Sequence, residues 1–298
     1  MEGSDPPLSM PDPVRRLGVV GTGTMATGII EVAARKAIDV VVWARSDQSA
    51  SAVRERLQAR LAREVARGVI AEQAAHEVGE RVSITRAVDD LGGCEVIVES
   101  IVEALEPKRV LFAQLGSVTG PETVLASNTS TLGIGQLAQV TEHPERVCGL
   151  HFFNPVTRME LVEVVRGLET SPATIARATA FAVQLAKTPI EVEDEAGFVV
   201  NALLFPSINA AVRLVERGVA SAEDVDRAMV LGANHPLGPL ALADLVGLDV
   251  TVAILDRLWA ATGDPALVPA PTLRRLVAAG RLGRKSGWGF YRYDGGDR

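Results

Sequence analysis

The chain has 298 residues, 47% apolar and 22% charged, which suits two globular domains with cores of ordinary size. Its net charge of −7 opposes bulk attraction to nucleic acid or to an anionic membrane and leaves only a local basic patch to hold an anionic cofactor. The two cysteines, Cys94 and Cys148, show no CxxC or Cys/His ligand spacing, so neither a disulfide framework nor a metal site is expected and both read as reduced, buried thiols.

Residues 1–12 are rich in Pro, Ser, Asp and Gly and lack the apolar segment of a signal peptide. They read as a disordered tail. No run approaches the ~18 apolar residues of a membrane helix. A cytoplasmic protein is the expectation.

The first strand, Leu17–Val20, runs into Gly21-Thr22-Gly23-Thr24-Met25-Ala26 and then into a helical pattern over Met25–Lys36. This is GxGxxG/A between a strand and a helix, the context a dinucleotide site requires. Gly21 permits the tight turn, Gly23 lets a pyrophosphate approach the backbone, and Ala26 is small enough for helix–strand contact. The second strand, Asp39–Trp43, ends at Ala44-Arg45-Ser46, where an acidic residue would ordinarily hold the ribose 2′-hydroxyl of NAD. Ala44 removes that carboxylate, and Arg45 is suited to pair with a 2′-phosphate, with Ser46 as a further donor. The reading leans to NADP(H). The alternative is NAD held by other contacts, with Arg45 a solvated surface residue. A long helix over Gln48–Arg67 follows.

Further strands are expected at Val82–Thr85, Val96–Glu99, Thr123–Ser127, Arg146–Phe152, Leu161–Val165 and Ile190–Val192, with helices at Pro107–Leu115 and Pro172–Leu185. Continuous apolar strands alternating with helices predict a parallel sheet covered on both faces, a doubly wound α/β domain. Ser127-Asn128-Thr129-Ser130-Thr131 leaves the fifth strand at the carboxyl edge, where open sheets of this kind bind ligands. His151 ends the next strand. Glu163 lies between apolar neighbours on the one after, where a carboxylate is costly to bury alone. If those strands lie side by side the two meet. His151 then serves as general base for an alcohol and Glu163 fixes its tautomer. Read singly, His151 is a satisfied core histidine and Glu163 a solvated edge carboxylate.

After Gly197 the pattern turns helical. Phe198–Arg217 reads as one helix with Pro206 inside it and Gly218 at its end. Ser221 and Asp224 read as a capping box, and Asp249–Ala261 and Thr272–Ala279 as further helices. Asn201, among apolar residues, needs a hydrogen-bond partner, from the substrate or from a neighbouring helix. The chain therefore divides into a domain over 13–196 and an all-α domain over 197–298.

Several motifs together resemble the 3-hydroxyacyl-CoA dehydrogenase family, including its 3-hydroxybutyryl-CoA type: GTGTMATGI, VIVESIVEALEPK, ASNTST, HFFNPV followed by LVEV, GFVVNALL, HPLGPLALADLVGLD and GRLGRKSGWGFY. The resemblance spans residues 17 to 293. It implies a Rossmann-like domain followed by a helical dimerisation domain, with the active site in the cleft between them. It implies oxidation of a (3S)-3-hydroxyacyl-CoA in fatty-acid, butanoate or polyhydroxyalkanoate metabolism. It assigns His151 as base, Glu163 as its partner, and Ser130 and Asn201 to substrate oxygens. It places Glu103, Lys108, Asn154 and Lys285 near the cofactor or the cleft. It also puts acyl-CoA contacts on the helix after the second strand, where Arg54, Arg56, Arg60, Arg63 and Arg67 form either a phosphate-binding face or an ordinary charged one. The same chemistry on an acyl-carrier-protein thioester remains open, as does a silent nucleotide-binding protein. The departures are Ala44-Arg45 for the family's acidic residue and Ala26 for its third glycine.

Overall fold

The computed structural model describes residues 11–293; the tail assigned to residues 1–12 therefore lies outside the described residues except for Pro11 and Asp12. The chain forms two compact units that divide between Asp194 and Glu195.

In the first unit the elements run β1 (Arg16–Val20), α1 (Thr24–Arg35), β2 (Asp39–Trp43), α2 (Asp47–Ala66), α3 (Glu72–Glu80), β3 (Val82–Thr85), β4 (Val96–Glu99), α4 (Leu105–Val118), β5 (Val124–Ser127), α5 (Ile134–Ala138), β6 (Val147–Phe152), β7 (Leu161–Arg166), α6 (Pro172–Gln184) and β8 (Thr188–Glu193). The strands form one eight-stranded sheet in the order β3-β2-β1-β4-β5-β6-β7-β8. Chain order reverses between β1 and β4, the switch point at which doubly wound sheets bind nucleotides. The central strands are apolar up to their carboxyl ends because helices cover both faces, and Leu17, Val19, Val96, Val98, Val124 and Leu150 belong to one core with Ile29, Ile30 and Phe181 from the helices.

Three features depart from the sequence reading. The helix expected over Gln48–Arg67 is α2, but a further helix that the sequence reading did not assign, α3, follows it after the turn at Gly68 (φ +67°). The sheet is not wholly parallel: β7 pairs antiparallel with β6, and β8 then pairs parallel with β7. The link between β6 and β7, residues 153–160, is shorter than the dozen or more residues that a parallel crossover needs. Finally, β8 begins at Thr188 and includes Pro189, two residues before the expected start.

The second unit is helical: α7 (Val200–Glu216), α8 (Ala222–Ala233), α9 (Pro239–Val246), α10 (Leu248–Thr262) and α11 (Pro271–Ala278). Pro206 lies inside α7. At α8 only half of the expected capping box forms: Ser221 Oγ accepts from the Asp224 amide, but its hydroxyl also donates to the Asp224 carboxylate. The core joins Ile208, Val212, Leu240, Leu255, Leu258 and Leu273. Two buried carboxylates fasten the final segment to it. Asp226 accepts from the Leu240 and Ala241 amides and the Tyr291 hydroxyl, and Asp244 accepts from the Phe290 and Tyr291 amides and the Tyr293 hydroxyl. Burial raises the Asp244 carboxyl above its ordinary value, against the pull of those hydrogen bonds.

Candidate active site

The glycine-rich turn leaves β1 at the switch point. Gly21 has φ +130°, and a Cβ there would stand 2.4 Å from the Ser100 carbonyl oxygen. Only glycine fits. Gly23 is the N-cap of α1 without a side-chain cap, and a Cβ on it would meet nothing within 4 Å. The first amides of α1 therefore face open space, as phosphate binding at a helix N-terminus requires. Gly21, Gly23, Thr24, Met25, Ala44 and Arg45 line a cavity of about 920 Å³ whose other wall carries Ile101, Val102, Val110 and Leu111. A concave, largely apolar slot of this size beside bare helix amides fits a dinucleotide.

A second cluster stands at the carboxyl ends of β4 to β7. The antiparallel register places His151 directly opposite Glu163. Directly opposed residues point to the same face of the sheet, and His151 Nδ1 lies 2.6 Å from Glu163 Oε2. Glu163 is fully buried and His151 only 6% exposed. Because a carboxylate only accepts, Nδ1 carries the proton and the basic lone pair is on Nε2. The Phe153 ring packs against the imidazole at 4.6 Å between centroids.

The turn after β5 is held by two further carboxylates. Glu103 Oε1 accepts from the Thr129 hydroxyl at 2.6 Å, the Ser130 amide at 2.9 Å and, at longer range, the Ser130 and Thr131 hydroxyls. Burial pushes the Glu103 carboxyl up, but the Lys108 ammonium and these hydrogen bonds outweigh it and hold the group below the ordinary range. Lys108 is itself buried: its Nζ is 2.7 and 2.8 Å from the two oxygens of Glu99 and 3.2 Å from Glu103. Glu99 also accepts from the Ser127 hydroxyl and the Ile101 amide, both at 2.6 Å. Asn128 bridges strands, donating to Ser100 Oγ and accepting from the Phe152 amide beside His151.

A family model for the 3-hydroxyacyl-CoA dehydrogenase NAD binding domain matches residues 16–195, and the model for the C-terminal domain of the same enzymes matches residues 197–293. The chain belongs to the 3-hydroxyacyl-CoA dehydrogenase family. It is therefore an oxidoreductase carrying that family's nicotinamide-dinucleotide-binding domain. It is 44% identical over 286 residues to a 3-hydroxybutyryl-CoA dehydrogenase of Mycobacterium tuberculosis, covering 95% of this chain and 100% of that one. It is 40% identical to the human mitochondrial hydroxyacyl-coenzyme A dehydrogenase, covering 94% of this chain and 91% of that one. Among solved structures, M. tuberculosis FadB2 superposes with a TM-score of 0.92 at 44% identity, over 95% of this chain and 100% of that one. The (S)-3-hydroxybutyryl-CoA dehydrogenase of Ralstonia eutropha superposes at 0.90 and 40% identity, over 94% and 99%.

Within this family fold, the sequence-predicted residues of the first unit fall into the two clusters. Gly21, Gly23, Thr24, Met25, Ala44 and Arg45 are at the cavity; Glu103, Lys108, Asn128, Ser130, His151 and Glu163 are at the strand ends. Asn154 lies just beyond, in the exposed β6–β7 link, at a cis Asn154–Pro155 bond. The other two residues belong to the second unit. Asn201 is buried in the first turn of α7, and Lys285 forms an ion pair with Asp249, 2.7 Å from its Oδ2.

The arginine face on α2 is less open than its sequence suggests. Arg60 Nε pairs with the fully buried Glu31 on α1 at 2.6 Å and its guanidinium also reaches Thr157, while Arg56 donates to the Thr22 carbonyl of the glycine-rich turn. The Ser46 hydroxyl, expected as a donor to the cofactor, caps α2 by accepting from the Ser49 amide and donates to Ser49 Oγ. Glu99 and Glu31 escaped the sequence reading. For Glu99 the signal was present: a carboxylate closing an otherwise apolar strand, the same anomaly that exposed Glu163.

Proposed function

We propose that the chain interconverts short (3S)-3-hydroxyacyl-CoA thioesters, such as 3-hydroxybutyryl-CoA, and their 3-oxoacyl counterparts, with NADP(H) preferred over NAD(H). The carrying observation is the His151–Glu163 pair, 2.6 Å apart at the carboxyl edge of a sheet whose switch point holds a dinucleotide-sized cavity. A nicotinamide bound there supplies the hydride acceptor or donor. His151 Nε2 takes the 3-hydroxyl proton, and Glu163 keeps the proton on Nδ1 and stabilises the imidazolium that forms. Ser130 and Asn201 hold the substrate oxygens, while Glu103, Asn128, Asn154 and Lys285 serve the cofactor side, with Lys108 acting through the carboxylates that enclose it. The 3-hydroxybutyryl-CoA names of the relatives support a short acyl chain.

The NADP(H) preference is supported by Ala44, buried where a carboxylate would repel a 2′-phosphate, and by Arg45 on the cavity wall. The buried thiols of Cys94 and Cys148, the latter with its pKa pushed up to about 12, suit a reducing cytoplasm, and a homodimer through the helical unit is the assembly we assign. Among the described residues no helix is long and apolar enough to cross a membrane.

The test is a matrix of NADH and NADPH against acetoacetyl-CoA, longer 3-oxoacyl-CoA thioesters and an acetoacetyl-carrier protein, read at 340 nm. Fastest turnover of acetoacetyl-CoA with NADPH is expected. Faster turnover of the carrier-protein thioester, or preference for NADH, would overturn the corresponding half of the reading.

A further inference from the structure

A second arginine, Arg86, follows the end of β3, the strand beside the one that delivers Arg45 to the cavity wall. β2 and β3 are parallel neighbours with Trp43 opposite Thr85, and the Ala44 amide continues the ladder by donating to the Thr85 carbonyl at 2.9 Å. The Trp43 indole N–H donates to the Arg86 carbonyl at 3.1 Å and fixes the next residue as well. Arg45 and Arg86 therefore leave adjoining strand ends, about 4.8 Å being the spacing between paired strands. Trp43, Arg45 and Ser49 all line the cavity.

The two guanidinium groups differ in what they hold. Among the described residues, Arg45 has no hydrogen-bond or ion-pair partner, and the buried Ala44 beside it offers none. Arg86 Nη1 lies 3.2 and 3.1 Å from the two oxygens of Asp47, the first residue of α2. That pair is solvent-bathed, with the side chains 58% and 86% exposed. Such pairs contribute little and exchange readily. A phosphomonoester carries nearly two charges and three strong acceptor oxygens, and it outcompetes a single carboxylate for a guanidinium. Ser46, whose hydroxyl is engaged with Ser49, is not a competing donor.

We propose that Arg86 is the second arm of a ribose 2′-phosphate subsite: the phosphate is gripped between Arg45 and Arg86, and Arg86 exchanges Asp47 for it on binding. This rests on the NADP(H) reading and extends it to a residue on another strand. Asp47 is then the restraining group. Its carboxylate holds Arg86 in the unliganded state and repels the incoming phosphate.

The experiment is calorimetric titration of the whole chain with adenosine 2′,5′-bisphosphate and, separately, with 5′-AMP, for wild type, Arg45→Ala, Arg86→Ala and Asp47→Asn. The AMP arm reports the adenine and ribose contacts and verifies an intact pocket. Arg86→Ala is expected to weaken the bisphosphate about tenfold, the scale of one charge-assisted contact, while leaving AMP unchanged. Asp47→Asn is expected to tighten the bisphosphate alone. If Arg45→Ala is selective for the bisphosphate and Arg86→Ala is not, the NADP(H) reading stands and the role of Arg86 is overturned. If neither is selective, both fall. Equal loss of both ligands in Arg86→Ala also overturns the proposal, since it marks a merely structural arginine. Bisphosphate binding unchanged or weakened in Asp47→Asn overturns the exchange.

Discussion

His151 and Glu163 share one hydrogen bond, and in the proposed mechanism they are the base and its orienting carboxylate, so the two are expected to fail differently when altered. Replacing His151 by Ala removes the proton acceptor and is expected to lower kcat by about 10²–10⁴ with cofactor affinity unchanged. Glu163→Gln keeps the shape but can present an N–H to Nδ1, favouring the wrong tautomer. It is expected to lower kcat while KM stays near wild type, and steady-state kinetics with both variants checks this. A His151→Ala enzyme of normal rate removes the mechanism. Glu99 is a different case. It meets Lys108, Ser127 and Ile101 from the buried side, so its loss leaves an ammonium with only Glu103 in an apolar interior. Breaking one partner of a buried pair typically costs about 3–5 kcal/mol. Glu99→Gln should lower the denaturant midpoint accordingly; a shift equivalent to less than about 1 kcal/mol argues that water reaches the site.

Among the elements, α2 illustrates how local chemistry fixes an end that periodicity leaves vague. Ser46 accepts from the Ser49 amide, and the Ser49 hydroxyl lies 3.1 Å from the Ser46 backbone nitrogen, so the two serines cap the helix reciprocally. Ser46→Ala is expected to cost about 1 kcal/mol in chemical denaturation. Because the same turn carries Arg45 to the cavity, the proposed NADP(H) preference predicts that NADPH binding weakens with it. A variant with full stability would mean that another group satisfies the Ser49 amide. The β6–β7 hairpin matters more for function. It is the antiparallel turn-back, not the parallel rule of the remaining sheet, that sets His151 against Glu163. A one-residue slip would send one of them to the opposite face.

For the whole molecule, the carboxylate strut at Glu103 couples folding to pH. Its carboxyl is held below the ordinary 4.5 in the fold, burial being outweighed by Lys108 and the donors of the Thr129–Thr131 turn. A depressed folded-state value stabilises the protein above the unfolded value, and that stability is lost as pH falls through the folded one. The melting temperature of the whole chain should therefore fall as pH drops below 4.5. Glu103→Gln, which carries no titratable group, should show a lower melting temperature at neutral pH and a shallower acid decline. An identical slope in the two proteins would refute the linkage.

The sequence by itself determined the layout of the sheet-forming half and most of the candidate chemistry. Continuous apolar strands, a glycine pair at the end of the first, and isolated polar residues in apolar runs each carry a local energetic cost that only one context relieves. That is why Gly21 and Gly23 were legible by themselves, whereas His151 and Glu163 became candidates only when read together. What tertiary structure decided was partnership. The turn-back of β7, the inward engagement of Arg60 with Glu31, and the pairing of the strands that end before Arg45 and Arg86 join residues distant in the chain, and even the short-range enclosure of Lys108 between Glu99 and Glu103 depends on how β4 and α4 pack. Residue spacing encodes which face a side chain takes along its own element. Which face of which other element it meets depends on how the strands order and pair across the sheet, and that is settled only when the apolar surfaces close on one another.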